Sequence, residues 1–107
     1  MTNARGTSID ATIDAVRADD RVGLMTHIVL GYPSLSASRE IVDCMVEEGV
    51  DLIEIQIPFS DPTADGPTIT KACQEALDGG VTTADALEFL RQVSSAHATP
   101  FLFMTYT

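Results

Sequence analysis

The chain has few basic residues: six lysines and arginines stand against sixteen aspartates and glutamates. Its net charge of −10 argues against nucleic acid and against an anionic membrane surface as partners, because both bind clustered Lys and Arg. No apolar run is long enough to span a bilayer, and the polar residues 1–6 lead into no apolar signal segment. The sequence thus predicts neither a secretory signal nor a membrane span.

Cysteine is also scarce, since Cys44 and Cys73 are the two in the chain. Each lies in a segment of helical pattern and neither belongs to a Cys-x-x-Cys pair, so we expect two free thiols in a reducing cytoplasm. The histidines, cysteines and acidic residues do not cluster at the spacing of metal ligands, so no metal site is predicted. The 107 residues suffice for one small domain with a modest core.

Seven segments of the chain have helical or strand patterns. We expect a helix over 8–18 capped by Thr7 or Ser8, and then a strand over 22–30 that is buried on both faces. A helix capped by Ser36 or Ser38 and stopped by Gly49 follows, and then a strand over 52–57. The last three elements are a helix over 67–77, a helix over 84–95 capped by Thr82 or Thr83, and a strand over 100–106.

The resulting order, α-β-α-β-α-α-β, predicts parallel strands joined by right-handed crossovers. Both a doubly wound sheet and a (β/α)8 barrel begin in this way, and the pattern alone does not separate them. A complete barrel needs about 250 residues. In both interpretations the end of the chain after the third strand predicts a truncated protein.

Glu54 interrupts an apolar strand, where a buried carboxylate costs free energy unless it is paired or neutralised. Side chains alternate along a strand, so Glu54 and Gln56 share one face while the isoleucines share the other and pack under helices. Glu54 then points into a barrel interior or toward the carboxyl-terminal mouth of the sheet, where parallel α/β folds bind ligands. The strand faces that carry His27 and Tyr106 converge on the same pocket.

Each of these residues also has a purely structural interpretation. Glu54 is either a general acid/base whose pKa is raised by burial or a structural carboxylate paired with a cation. Asp65 fits a turn before glycine, and Asp61 fits a turn or a helix cap. His27 fits a packed strand residue better than a metal ligand, and Tyr106 fits the core.

The stretch that begins at Glu54 resembles the signature of the tryptophan synthase alpha chain family. It reads Glu54-x-x-x-Pro58-Phe59-Ser60-Asp61-Pro62-x-Ala64-Asp65-Gly66-Pro67-x-Ile69. A Gly-x-Pro turn after the first strand, an acidic-Gly pattern before the second and a Met-Thr-Tyr end of the third agree with the family. The resemblance covers residues 22–107, and the length of the motif disfavours another phosphate-binding barrel lyase.

The resemblance implies a (β/α)8 (TIM) barrel, of which residues 1–107 form a single, incomplete N-terminal fragment. It implies a lyase of tryptophan biosynthesis that cleaves indole-3-glycerol phosphate to indole and glyceraldehyde 3-phosphate. Glu54 matches the residue that moves protons at indole C3 and at the glycerol hydroxyl, and Asp65 matches the carboxylate beside the indole N–H. The matched substrate-binding positions are Ile69, Met104, Tyr106 and His27.

The loop that begins at Pro58 and Phe59 has a second implied role, which is to face the beta subunit. That partner is a pyridoxal-phosphate enzyme, whereas the alpha chain itself binds no cofactor; Asp61 matches a residue for communication between the subunits. The phosphate-binding loops of the later strands are missing, so we expect no useful lyase activity from the 107 residues alone. The alternative is a non-catalytic remnant or binding module that contacts the beta subunit.

Three residues depart from the family pattern. Gln56 replaces a glycine, Thr63 replaces an aliphatic residue, and His27 takes a position that is often phenylalanine. Gln56 is expected either to contact Glu54 or to narrow the pocket. Since no departure removes a catalytic carboxylate, we expect them to tune the site.

Overall fold

A computed structural model describes residues 9–59 and 65–105. Its helices and strands are, in chain order, α1 (Ile9–Ala18), β1 (Met25–Val29), α2 (Leu35–Glu47), β2 (Leu52–Gln56), α3 (Pro67–Asp78), α4 (Thr83–Ala96) and β3 (Phe101–Met104). The predicted order of elements is confirmed. Asp61, Thr63, Tyr106 and the expected cap of α1 at Thr7 or Ser8 lie outside the described residues.

The three strands form one parallel sheet in the order β1-β2-β3, as predicted. The register places His27 beside Glu54 and Glu54 beside Leu102. One step nearer the carboxyl ends, Gln56 pairs with Val29 on one side and with Met104 on the other. The carboxyl ends of all three strands therefore meet at one edge of the sheet.

Helices α2 and α4 cover one face of this sheet. Ile53 and Ile55 of β2 are completely buried there, which confirms that the isoleucines pack under helices. Burying one such side chain contributes about 1.5–3 kcal/mol. Val42 of α2 and Val93 of α4 complete the contact between the layers. Helix α3 lies against the opposite face, where Val29 packs on Ala72 and Cys73.

The first strand is not buried on both faces along its predicted length. Val22 is 91% exposed, and Leu24 and Met25 are each more than half exposed. A parallel strand stays buried only where helices cover both of its faces, and α3 covers only the carboxyl end of β1, at Val29. The prediction therefore holds for the carboxyl-terminal half of the segment and is wrong for the amino-terminal half.

The cap of α2 also differs from the prediction. Ser34, not Ser36 or Ser38, caps the helix, because its Oγ accepts the N–H of Ala37 at 3.0 Å. Ser38 is completely buried, and its Oγ accepts the N–H of Gly31 at 3.0 Å. The hydroxyl predicted as a helix cap instead stabilises the turn that follows β1.

Both ends of α3 and the start of α4 carry residues that are typical of helix ends. Pro67 stands in the first turn of α3, and Gly79 caps its carboxyl end. At the start of α4, the Thr82 hydroxyl accepts the N–H of Asp85 while the Asp85 carboxylate accepts the N–H of Thr82. This reciprocal capping box confirms Thr82 as the cap.

An ion pair joins the segments that lead into β1 and β2. The Arg21 guanidinium donates to both carboxylate oxygens of Asp51, at 2.8 and 3.0 Å. Asp51 also accepts the N–H of Leu24 at 2.8 Å. The hydrogen bonds from Arg21, and next that from Leu24, lower the pKa of Asp51 to about 2.

This ion pair predicts a pH-dependent effect of Asp51→Asn. The folded-state pKa of about 2 lies below the unfolded value of about 3.9, so Asp51 contributes stability above pH 4 that is lost as the pH falls through 2. In the complete polypeptide that carries these residues, we expect the substitution to lower the urea midpoint at pH 7 and the difference from wild type to shrink at lower pH. Asp14→Asn on exposed α1 is the control, and a difference independent of pH would contradict the prediction.

A second prediction concerns Gly31, whose φ of +88° places it in the left-handed region. A Cβ there would lie 2.4 Å from Cγ2 of Val81, whereas Gly49, with φ +90°, has nothing within 4 Å. We expect Gly49→Ala to cost about 1–2 kcal/mol from backbone strain alone. Gly31→Ala should cost a further 1–3 kcal/mol or so from overpacking. Denaturant unfolding of the complete polypeptide that carries these residues measures both losses, and equal losses would contradict the steric argument.

Candidate functional site

Three polar side chains of the sheet, those of His27, Glu54 and Gln56, lie on the face opposite α2 and α4. We call this the inner face; it carries His27, Val29, Glu54, Gln56, Leu102 and Met104. Glu54 occupies the middle of β2 and is partly exposed. Its neighbours in register are His27 and Leu102. The carboxylate is therefore flanked by side chains of both neighbouring strands and remains accessible.

Gln56 brings two predicted site residues together. Its amide nitrogen donates to Oδ2 of Asp65 at 2.8 Å, and its Oε1 lies 2.8 Å from Nε2 of His27. Gln56 is 1% exposed, whereas His27 and Asp65 are partly exposed, so both contacts are partly buried. Two of the three departures from the family pattern, His27 and Gln56, thus contact each other. Of the two expectations for Gln56, contact with Glu54 is replaced by contact with His27 and Asp65.

Asp65 reaches the inner face although it belongs to the loop before α3. Its contact with Gln56 places it at the carboxyl-terminal end of β2, the strand that carries Glu54. Gln56 follows Glu54 by two residues, which corresponds to about 6.6 Å along a strand. One carboxylate therefore lies on the strand and a second lies closer to the mouth of the sheet. Two carboxyl groups in this arrangement can divide the work of moving a proton and of stabilising a developing positive charge.

Cys73 of α3 is a buried neighbour of this site that sequence reasoning treated only as a free thiol. Its Sγ lies 3.6 Å from the Gln56 amide nitrogen, and its side chain is completely buried. Burial raises the pKa of the Cys73 thiol, a backbone hydrogen bond from Phe59 opposes this, and the charge of Asp65 raises it further. The spacing of four residues from Ile69 places both on one side of α3 and could have revealed Cys73 as a site neighbour.

The remaining predicted site residues are placed as follows. Ile69 is partly buried and packs against the cluster formed by Val29, Ala72 and Cys73 on the inner face. Met104, beside Gln56 at the end of β3, is also partly buried. Pro58 is buried where the loop leaves β2, and Phe59 is half-buried. Asp61 and Tyr106 lie outside the described residues, so their roles stay predictions.

Residues 9–59 and 65–105 hold neither a candidate metal site nor a candidate membrane-spanning helix. No group of three or more His, Cys, Asp or Glu side chains in these ranges is arranged to hold a metal ion. None of the helices in these ranges is both long enough and apolar enough to cross a membrane.

Two solved structures that resemble this one are described as tryptophan synthases. A structure of Mycobacterium tuberculosis tryptophan synthase matches with a TM-score of 0.86 and 38% identity, covering 94% of this chain and 39% of that chain. Tryptophan synthase subunit alpha of Legionella pneumophila matches with a TM-score of 0.86 and 33% identity over 92% of this chain and 38% of its own. These matches confirm the predicted fold class, a partial (β/α)8 barrel.

Sequence relatives carry the same name. The tryptophan synthase alpha chain of Desulfotalea psychrophila is 56% identical over 90 residues, which are 84% of this chain and 35% of the relative. That of Syntrophotalea carbinolica is 53% identical over 98 residues, 92% of this chain and 39% of the relative. The chain thus spans little more than a third of their length. The family model of the tryptophan synthase alpha chain matches residues 13–107, and the chain therefore belongs to the tryptophan synthase alpha chain family.

Proposed function

We propose that residues 1–107 are the N-terminal part of a single (β/α)8 domain that acts as a tryptophan synthase alpha-type lyase. The reaction is the retro-aldol cleavage of indole-3-glycerol phosphate to indole and glyceraldehyde 3-phosphate. The observation that carries the proposal is the contact that holds Asp65 on the same face as Glu54. Membership of the family supports the choice of reaction.

The proposed chemistry uses the two carboxyl groups in different roles. Glu54 donates a proton to indole C3, which places positive charge at the indole nitrogen, and Asp65 accepts a hydrogen bond from that N–H and stabilises the charge. Glu54 then takes the proton of the adjacent glycerol hydroxyl. As that oxygen forms the aldehyde C=O, the C–C bond breaks and its electron pair returns to the indole ring. The accessible position of Glu54 supports its role in proton transfer.

The proposed indole pocket is apolar on two sides. Ile69 reaches the inner face from α3, and Met104 ends β3 next to Gln56. Partly buried apolar side chains suit the flat indole ring, because they remove its surface from water. We assign His27 and Tyr106 to the same pocket, His27 from its place beside Glu54 and Tyr106 from its match to the family motif.

We further propose that the loop after β2 faces a tryptophan synthase beta-type subunit, a pyridoxal-phosphate enzyme that consumes the indole. The buried side chain of Pro58 fixes the point where this loop leaves the sheet, and Phe59 follows it half-exposed. Asp61 is assigned to communication with the partner from its place in the motif. The relative from Legionella pneumophila, described as subunit alpha, supports an assembly of subunits.

The alternative is a non-catalytic remnant that keeps the loop for the beta-type partner. The chain spans 35–39% of the length of these relatives. The reading frame beyond Thr107 separates the two: five more βα units support the lyase, and a stop codon directly after Thr107 supports the remnant.

In the complete polypeptide that carries these residues, we expect Glu54→Gln to slow indole release by roughly 10²–10⁴, because a general acid/base is removed. Asp65→Asn should slow it by roughly 10²–10³, because a group that stabilises charge at the reacting ring is lost. Indole fluorescence measures the rate with indole-3-glycerol phosphate as substrate. Glu40→Gln, at an exposed position of α2, is the matched control. A Glu54→Gln variant as fast as wild type would exclude the assigned role.

The 107-residue chain by itself should release no measurable indole and should self-associate. Both outer strands of the described sheet, β1 and β3, present unpaired edges. Large apolar side chains are exposed at or near these edges: Val22, Leu24, Met25, Leu87 and Phe103. Sedimentation velocity measures the association. A monomer with a sharp two-state melt, or indole release near the rate of the complete chain, would contradict this prediction.

A further inference from the structure

The buried amide of Gln56 is the polar centre of the inner face. A buried polar side chain costs free energy unless its hydrogen bonds are made. Gln56 meets this requirement across three elements, since its amide group contacts His27 on β1, Asp65 in the loop and Cys73 on α3. No buried side-chain nitrogen or oxygen within the described ranges lacks a partner.

The neighbours of Gln56 determine the orientation of its amide. An ionised carboxylate can only accept hydrogen bonds, so the amide NH2 group faces Asp65. The amide oxygen must then face His27, and because that oxygen can only accept, Nε2 of His27 carries a proton. The charge of Asp65 thereby decides the tautomer of a histidine on another strand.

Asp65 needs such support because it stands in a loop. A loop side chain gains a defined direction only from the groups that hold it, whereas Gln56 belongs to the central strand of the described sheet. The amide itself is buried, which limits the competition of water at its end of the contact. The strand therefore supplies a rigid point of attachment for the Asp65 carboxylate.

We propose that Gln56 is a positioning residue, whose amide orients the Asp65 carboxylate toward the substrate and holds His27 in the Nε2-protonated form. The inference rests on the proposed function, because Asp65 is assigned there as the acceptor of the indole N–H. Gln56 itself acts on the reaction through Asp65 and His27.

The first test is spectroscopic and does not depend on activity. Long-range ¹H–¹⁵N NMR of the complete chain reports which nitrogen of His27 is protonated, with His27→Phe used to assign the signals. We expect protonated Nε2 in wild type and a mixture of both tautomers in Gln56→Met, which keeps the length of the side chain without its hydrogen bonds. The Nδ1-protonated tautomer in wild type would overturn the proposal.

The second test is kinetic. We expect Gln56→Met to lower kcat/KM for indole-3-glycerol phosphate by about 10- to 100-fold, because a hydrogen bond to a charged group is lost. Gln56→Glu has the same shape but places a second carboxylate against Asp65. Its activity relative to wild type should be lowest at neutral pH and rise as the pH falls, because one shared proton restores a donor between the two carboxyl groups. The other titratable groups around the contact are His27, Glu54 and Cys73.

The chain offers a matched control in Gln74. Its amide donates to Asp78 at 2.9 Å in the same kind of contact, but on the exposed side of α3. Gln74→Glu should therefore leave kcat/KM and its pH profile unchanged. If Gln56→Glu does not fold, Gln56→Met still tests the positioning role, through the tautomer of His27 and through kcat/KM.

The outcomes separate this proposal from the proposed function. If the wild type is inactive but the tautomer of His27 changes as expected in Gln56→Met, the lyase function is excluded. The contacts of Gln56 with His27 and Asp65 are then still supported. An active wild type with Gln56→Met equally active would retain the lyase and overturn the positioning role. Loss of activity in both Gln56 variants, with the tautomer change and the shifted pH profile, is the supporting result.

Discussion

The burial of two isoleucines determines how the rest of this molecule is arranged. Ile53 and Ile55 lie completely inside the layer formed with α2 and α4. Because side chains alternate along a strand, this burial directs Glu54 and Gln56 to the inner face. Neither polar residue can turn away unless β2 loses its core contacts. The hydrophobic layer thus supplies the orientation on which the candidate site depends.

The sequence predicted the order of elements, the parallel sheet and the two faces of β2. These features follow from short-range periodicity, which the residues of each segment carry by themselves. The start of α4 was also predictable, because Thr82 and Asp85 are three residues apart and cap each other. The family motif located Asp65, which periodicity alone would have left as a turn residue.

Other features could not be predicted, because they depend on contacts between distant residues. Ser34 and Ser38 are chemically alike, and only the approach of Gly31 decides that Ser38 is used for the turn and Ser34 for the cap. The partners of Gln56 come from β1, a loop and α3, so no local pattern names them. The exposure of Val22 follows from what covers the strand, which its own apolar composition does not reveal.

The ion pair between Arg21 and Asp51 has a consequence at the other end of the strands. Asp51 accepts hydrogen bonds from Arg21 and from the backbone of Leu24, and so it aligns the chain before β2 with the chain before β1. A slip of one residue between these strands would turn His27 away from the inner face and separate it from Gln56. A contact about 17 Å from Gln56 along the strand therefore decides whether the amide can reach His27.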